Sequence, residues 1–336
     1  MQFRLKFAVS LLLAIIFFSN SYLASAEEVC IYRNEKGETF SSPSKRQIPH
    51  KYRRNATCGD KAKFNTLAAP TEIELEGSTR NVTIPSSLGS IEARWPRSAE
   101  KFFRMSPNKA LATAANATAK AINQAGFRRR MQNTDLSWKV VFLDANMPET
   151  QIPFYLLQNC HPGWMTPPAN IYIVAQRVAR GCAGEQASDD SLHDKSVADS
   201  GLAETVVHEM GHVVEHQLLS SNSPDRLRSE GFATWFEIYA ARLHGSLDRT
   251  SIEMRTNELA SISIKSTPNN FYFQGSGSDY SRAAMYFLAV EKQGGAIAIA
   301  NLYDVMNERK IDLFAAIHNT LHWNRTRLEA EVKSLL

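Results

Sequence analysis

The chain opens on an unbroken apolar run, Phe7 to Phe18. It is shorter than the roughly 20 residues a membrane-spanning helix needs, and no later stretch approaches that length. From Glu27 to about Asp60 the pattern is polar and basic, interrupted by two short strand-like stretches, Val29 to Arg33 and Glu38 to Ser41. Between them Asn34-Glu35-Lys36-Gly37 reads as a hairpin turn. A stretch with Pro70, Pro85 and Pro96 among scattered Ser and Gly follows over 61–97 and reads as a linker, with Glu72 to Leu75 or Arg80 to Ile84 as a candidate strand inside it. Pro107 to Arg130 is Ala-rich and free of internal Pro and Gly until Gly126, which predicts a helix capped by Ser106 with Pro107 in first position. Trp138 to Asp144 and Asn170 to Gln176 read as strands, and Gly184 to Ser200 as a polar loop. Leu202 to Leu219 predicts a buried helix with Val206, Met210, Val213 and Val214 on its apolar faces. The next helix starts after Ser223-Pro224 and stops at Gly245. This order predicts an α+β fold, a sheet packed on one face by a largely helical half that runs to the C-terminus, preceded by a small β module.

Composition narrows the function classes. With 38 Lys and Arg against 34 Asp and Glu, the net charge of +4 is too balanced for an electrostatic nucleic-acid binder. Arg4 and Lys6 precede the N-terminal apolar run and Leu23-Ala24-Ser25-Ala26 follows it, the three parts of a secretory signal peptide over 1–26. Export to an extracellular or periplasmic space makes an even set of four cysteines a disulfide signal rather than a redox or metal one. Four cysteines allow three pairings, and the sequential one closes two local loops, Cys30 with Cys58 and Cys160 with Cys182. The expected organisation is a signal peptide over 1–26, a stapled β module over 27–60, a linker over 61–97 and one large domain over 98–336.

The chemistry sits in HEMGH, His208 to His212. On a helix the two histidines lie one turn apart on one side, so both imidazoles can bind a single Zn2+. Glu209 is placed to take a proton from a water held by that metal. Glu230 follows His212 by eighteen residues on the next helix. An antiparallel return brings its carboxylate back as a third ligand, with a fourth position left for water. Glu237, two turns further along the same face, is placed to accept a hydrogen bond from a ligand imidazole. His216 is a poor third ligand, because three rings on one continuous helix would have to converge across about 12 Å of rise. The metzincin spacing is excluded by Glu215 and Leu218, which stand where it needs Gly and His. Asp225 is an alternative third ligand by reach alone.

HEMGH followed by SEGFATWFE resembles the gluzincin metallopeptidases, especially the aminopeptidase-N-like branch, whose third ligand lies in Asn-Glu-Gly-Phe-Ala. Ser229 stands here in place of the Asn, a change expected to touch neither ligand nor base. The resemblance implies a zincin-like catalytic domain and a peptide or protein substrate. It also implies a downstream Tyr that donates to the developing oxyanion, and Asp279 to Leu288 is similar to that segment, with Tyr280 at the matching place. In the family the strand ahead of the zinc helix lies at the sheet edge over the cleft, which implies that role for Asn170 to Gln176 and makes Gly184 to Ser200 a flap. The Gly-x-Met-x-Asn segment that holds a substrate amino terminus in aminopeptidases is not visible. The stretch IYRNEKGETFSSPSKRQIP resembles a short domain of unknown function that opens many bacterial envelope proteins, implying a periplasmic location and contact with the cell envelope. The competing reading is an envelope binding protein whose zinc is not catalytic.

Overall fold

In the computed structural model the described residues are 28–33, 39–42, 50–55, 57–60, 75, 77–133, 135–143, 161–180, 195–219, 225–245 and 277–335. Contacts divide the chain into two units, Met1–Ala68 and Ala69–Leu336. The first holds a three-stranded antiparallel sheet of β1 (Glu28–Arg33), β2 (Thr39–Ser42) and β3 (Thr57–Asp60) in the order β2-β1-β3, with a 3-10 turn at His50–Asn55. The two expected strands pair antiparallel, the turn read between them lies outside the described residues, and β3 adds to the other side of β1 in a register that sets Cys30 opposite Cys58. Cys160 and Cys182 lie outside the described residues.

The second unit is α+β. Its sheet has the order β4 (Thr79–Ser86), β5 (Gly89–Pro96), β6 (Trp138–Leu143), β8 (Asn170–Val174), β7 (Gly163–Thr166). Strands β5, β6 and β8 run parallel, whereas β4 and β7 are antiparallel edge strands. Two expectations are corrected here. The stretch read as a linker contains β4 and β5: Ile91, Ala93 and Trp95 face the core in strict alternation with Glu92 and Arg94, and Pro85 is tolerated because β4 is an edge. The strand at Asn170–Val174 is interior, and among the described residues the edge belongs to β7, which precedes it in the chain.

The helices are α1 (Pro107–Gln124), α2 (Ala175–Arg180), α3 (Lys195–Leu218), α4 (Arg226–His244), α5 (Gly277–Arg309, broken at Gly294-Gly295), α6 (Leu313–Leu321) and α7 (Arg325–Lys333). Ser106 caps α1 as expected, its Oγ accepting from the Asn108 amide, but the helix ends at Gln124 because Gly126 turns to φ 72°. Arg130 lies beyond that end. Its guanidinium reaches Asp304 of α5 at 2.8 Å and is largely buried. Helix α3 begins at Lys195, inside the stretch expected to be a loop, and α4 is capped by Asp225, its carboxylate accepting from the Arg228 amide. Gly245 ends α4 in the left-handed region, as its position predicts. Among the described residues no helix is long and apolar enough to cross a membrane.

Helices α3, α4 and α5 stack at unusually short range, and two motif glycines permit it. A Cβ at Gly211 would lie 3.0 Å from Ala233 Cα of α4, and one at Gly231 would lie 2.7 Å from the Ala283 carbonyl oxygen of α5. Around this stack Phe127, Phe232, Trp235, Phe236, Phe287 and Tyr303 form a fully buried aromatic cluster. Gly231→Ala is expected to cost about 1–3 kcal/mol, since a backbone carbonyl cannot yield as a side chain can. Gly201→Ala, whose Cβ would meet only Val178 at ordinary distance, should instead gain a few tenths to about 1 kcal/mol from helix propensity. Thermal melting of the two variants against the parent checks the contrast, and equal melting temperatures would refute the packing argument.

Candidate metal centre

His208 and His212 project from one side of α3, their rings 5.0 Å apart edge to face. Glu230 reaches them from the first turns of α4. Its Oε2 lies 3.6 Å from His208 Nε2 and 3.4 Å from His212 Nε2. Two donors each about 2.0–2.1 Å from one tetrahedral ion stand roughly 3.4 Å apart, so the residues present fit a Zn2+ ion in both chemistry and spacing. All three donor groups lie within 4.8 Å of one another.

The far nitrogen of each imidazole is also directed. His208 Nδ1 faces Glu237 Oε2 at 3.4 Å, and His212 Nδ1 faces Ser229 Oγ at 3.0 Å. With Nδ1 of each ring directed at an oxygen, both Nε2 atoms turn inward towards Glu230. Ser229 therefore touches a histidine of the cluster, contrary to the expectation that this position is neutral. Its role depends on how α4 is rotated about its axis, which the motif alone does not state.

In the titration of the cluster, burial is opposed by the neighbouring groups. It disfavours the His208 cation, yet hydrogen bonds to Glu230 and Glu237 and the charge of Glu209 outweigh it, and the imidazole is pushed up to about 10. Glu230 is buried too, but the two histidines hold its carboxyl well below the usual range. Glu209 is only 5% exposed, and burial raises its proton affinity despite His212 and His208 nearby. A carboxylate so placed is a stronger base than one in water. Edge strand β7 runs past it, and a Cβ at Gly163 would lie 2.8 Å from Glu209 Oε1, so glycine is what lets main chain come this near. Together they line a cleft of about 310 Å3.

Tyr280, in the first turn of α5, faces the same cleft. Its hydroxyl accepts from Arg226 Nη2 at 3.2 Å and lies 3.5 Å from His161 Nε2. Burial and the charge of Glu230 push the phenol up, so it stays protonated and able to donate. His161 is a cleft residue that the sequence reading missed, since a lone histidine before a proline carries no local signal. Its backbone carbonyl accepts from Arg177 Nη1 at 3.2 Å, and burial lowers its pKa, favouring the neutral ring. His216 and Asp225 are not among the residues lining the cleft, and the Asp225 carboxylate is engaged as the cap of α4.

No family model matches the chain, and no curated protein matches it. Among solved structures it is similar to a crystal structure of a two-domain M1 zinc metallopeptidase variant bound to L-tryptophan. The identity is 12% and the TM-score 0.41, over 77% of this chain and 51% of that one. The chain thus spans about half the length of that neighbour.

What brings Glu230 to the histidines is a buried ion pair just beyond them. Arg228 Nε donates to Glu215 Oε1 at 2.8 Å, and the Tyr303 hydroxyl of α5 donates to the same oxygen at 2.8 Å. The arginine and glutamate side chains are 8% and 4% exposed. Burial and Glu215 push the Tyr303 phenol far above its ordinary value, which keeps it a donor. Arg228→Met would leave Glu215 buried without its counter-charge and is expected to cost about 3–5 kcal/mol. Adding Glu215→Met and Tyr303→Phe should recover most of that loss, because the polar group is then removed rather than stranded. Denaturant unfolding of the single and triple variants tests this. A triple variant less stable than the single would contradict it.

Proposed function

We propose that the chain is a zinc-dependent peptidase of gluzincin type with a zincin-like catalytic domain. The observation that carries the reading is the convergence of His208, His212 and Glu230 at 3.4–3.6 Å beside a buried Glu209, all facing one cleft. His208 Nε2, His212 Nε2 and the Glu230 carboxylate would hold one Zn2+. When bound, such an ion polarises a carbonyl oxygen and lowers the pKa of a water at its open position.

The protein's own groups do the rest. Glu209 accepts a proton as water oxygen attacks the carbonyl carbon, and returns it to the amide nitrogen as the C–N bond breaks. Tyr280 donates its hydroxyl hydrogen to the carbonyl oxygen as charge develops there. Glu237 and Ser229 hold the two imidazoles in orientation. An extended peptide would add to β7, whose main chain forms the cleft wall beside Glu209. The substrate is accordingly a peptide or protein.

The location proposed is secreted or periplasmic, following removal of 1–26, with the N-terminal module contacting the cell envelope. In an oxidising space Cys30 would pair with Cys58, its neighbour across β1 and β3, and Cys160 with Cys182. Peptide mapping without reduction is expected to yield these two linked fragments. A Cys58–Cys160 fragment would overturn the pairing and the separation of the two parts.

Purified wild-type protein is expected to carry one zinc per chain and His208→Ala to lose it. Glu209→Gln should keep the metal and lower peptide turnover by about a hundred- to ten-thousand-fold. Metal analysis and turnover on a peptide library read both. A metal-free wild type, or a Glu209→Gln variant as fast as the parent, would overturn the reading. The second outcome is what a zinc-containing binding protein would give.

A further inference from the structure

We propose that Arg226 is a positioning residue for the reaction above, aiming the Tyr280 hydroxyl into the cleft. The inference rests on the peptidase reading. Arg226 Nη2 donates to the Tyr280 oxygen at 3.2 Å, while its Nε lies 3.5 Å from Glu230 Oε1. That is the carboxylate oxygen other than Oε2, the one that faces the two imidazoles. One planar guanidinium therefore spans the carboxylate of α4 and the phenol of α5.

The chemistry of the donor fixes what this does. A guanidinium has N–H donors and no acceptor, so Arg226 occupies a lone pair of the phenol oxygen and cannot take the phenolic hydrogen. That hydrogen is left to the cleft side, where His161 Nε2 stands at 3.5 Å when no substrate oxygen is present. An oxygen gaining negative charge is a better acceptor than a neutral imidazole and draws the hydrogen to itself. The same donation from Arg226 makes the phenol a stronger hydrogen-bond donor.

The placement of Arg226 is costly for the helix alone. It is the first residue of α4, where the macrodipole disfavours a cation. Its i, i+4 partner is a glutamate on the C-terminal side, the weaker order for a helical ion pair. Arg228 shares the unfavourable end but is compensated by buried Glu215. Arg226 is 41% exposed, so its engagement with Glu230 and Tyr280 has its value in the site rather than in helix stability.

The test compares wild type, Arg226→Gln, Arg226→Lys, Tyr280→Phe and the Arg226→Gln/Tyr280→Phe double variant. For each, kcat and KM on a peptide substrate, zinc content, thermal melting and affinity for a phosphinic peptide, a mimic of the tetrahedral carbon, are measured. Arg226→Gln is expected to lower kcat about tenfold with KM within about twofold, and to weaken the phosphinic peptide by a similar factor. Zinc content and melting temperature should stay at the parental values. Lys has no fork to span two partners and should rescue only in part. The double variant should be no slower than Tyr280→Phe alone, because the arginine acts through the phenol. Parental kcat in Arg226→Gln, losses that multiply in the double variant, or loss of zinc or melting temperature in Arg226→Gln would each overturn the proposal while leaving an active wild type a peptidase. A wild type that cleaves no peptide would bring down the peptidase reading and this inference with it.

Discussion

The arrangement of the candidate site depends on one buried ion pair, Glu215 with Arg228, completed by the Tyr303 hydroxyl. Glu215 lies about one turn beyond His212 on α3, and Arg228 two residues before Glu230 on α4. Fixing those two side chains against each other fixes the slide and rotation of one helix on the other, and with them the point at which the Glu230 carboxylate arrives. An apolar contact would tolerate a small slip between the helices. A buried hydrogen-bonded charge pair does not, since a slip pulls the guanidinium away from the carboxylate that compensates its burial. Tyr303 carries the same constraint to α5, the helix that also bears Tyr280.

The glycines inside the two motifs make that constraint reachable. Gly211, between Glu209 and His212, lets α4 come close enough for a short glutamate to touch both imidazoles, and Gly231, next to Glu230, does the same for α5. The polar residues of the motifs and the small ones thus have separate duties, chemistry for the first and interhelical distance for the second. The aromatic cluster around Phe232 packs behind the close approach of the backbones.

How much of this was legible in the chain follows from how local each signal is. The two histidines and Glu209 are read from a single helical turn, and Glu230 and Glu237 from one antiparallel return. The caps at Ser106 and Gly245 are equally local and are found where expected. Strand β5 was obscured although it alternates, because Pro85 and Pro96 and the charges of Glu92 and Arg94 give the stretch the composition of a linker. The order of β7 and β8 is set by pairing partners, not by either strand's own residues. Glu215 and Arg228 look like ordinary surface charges until the helix faces are known, and the contact of Ser229 with His212 depends on the rotation of α4. His161 joins Tyr280 across more than a hundred positions, a distance at which sequence pattern carries no information.

Strand β7 has a further consequence. A sheet edge is where two copies of a chain, or a chain and its own unfolded neighbours, can zip together through main-chain hydrogen bonds. Here the edge is four residues long, Gly163–Thr166, with Pro162 before it and Pro167 and Pro168 after it. Prolines lack the amide hydrogen that would extend a ladder, so the pairing register ends at both sides after very few bonds. A site of this shape can receive a short extended segment and still be a poor seed for aggregation, which makes the two prolines that follow β7 as much a safeguard of solubility as a boundary of the cleft.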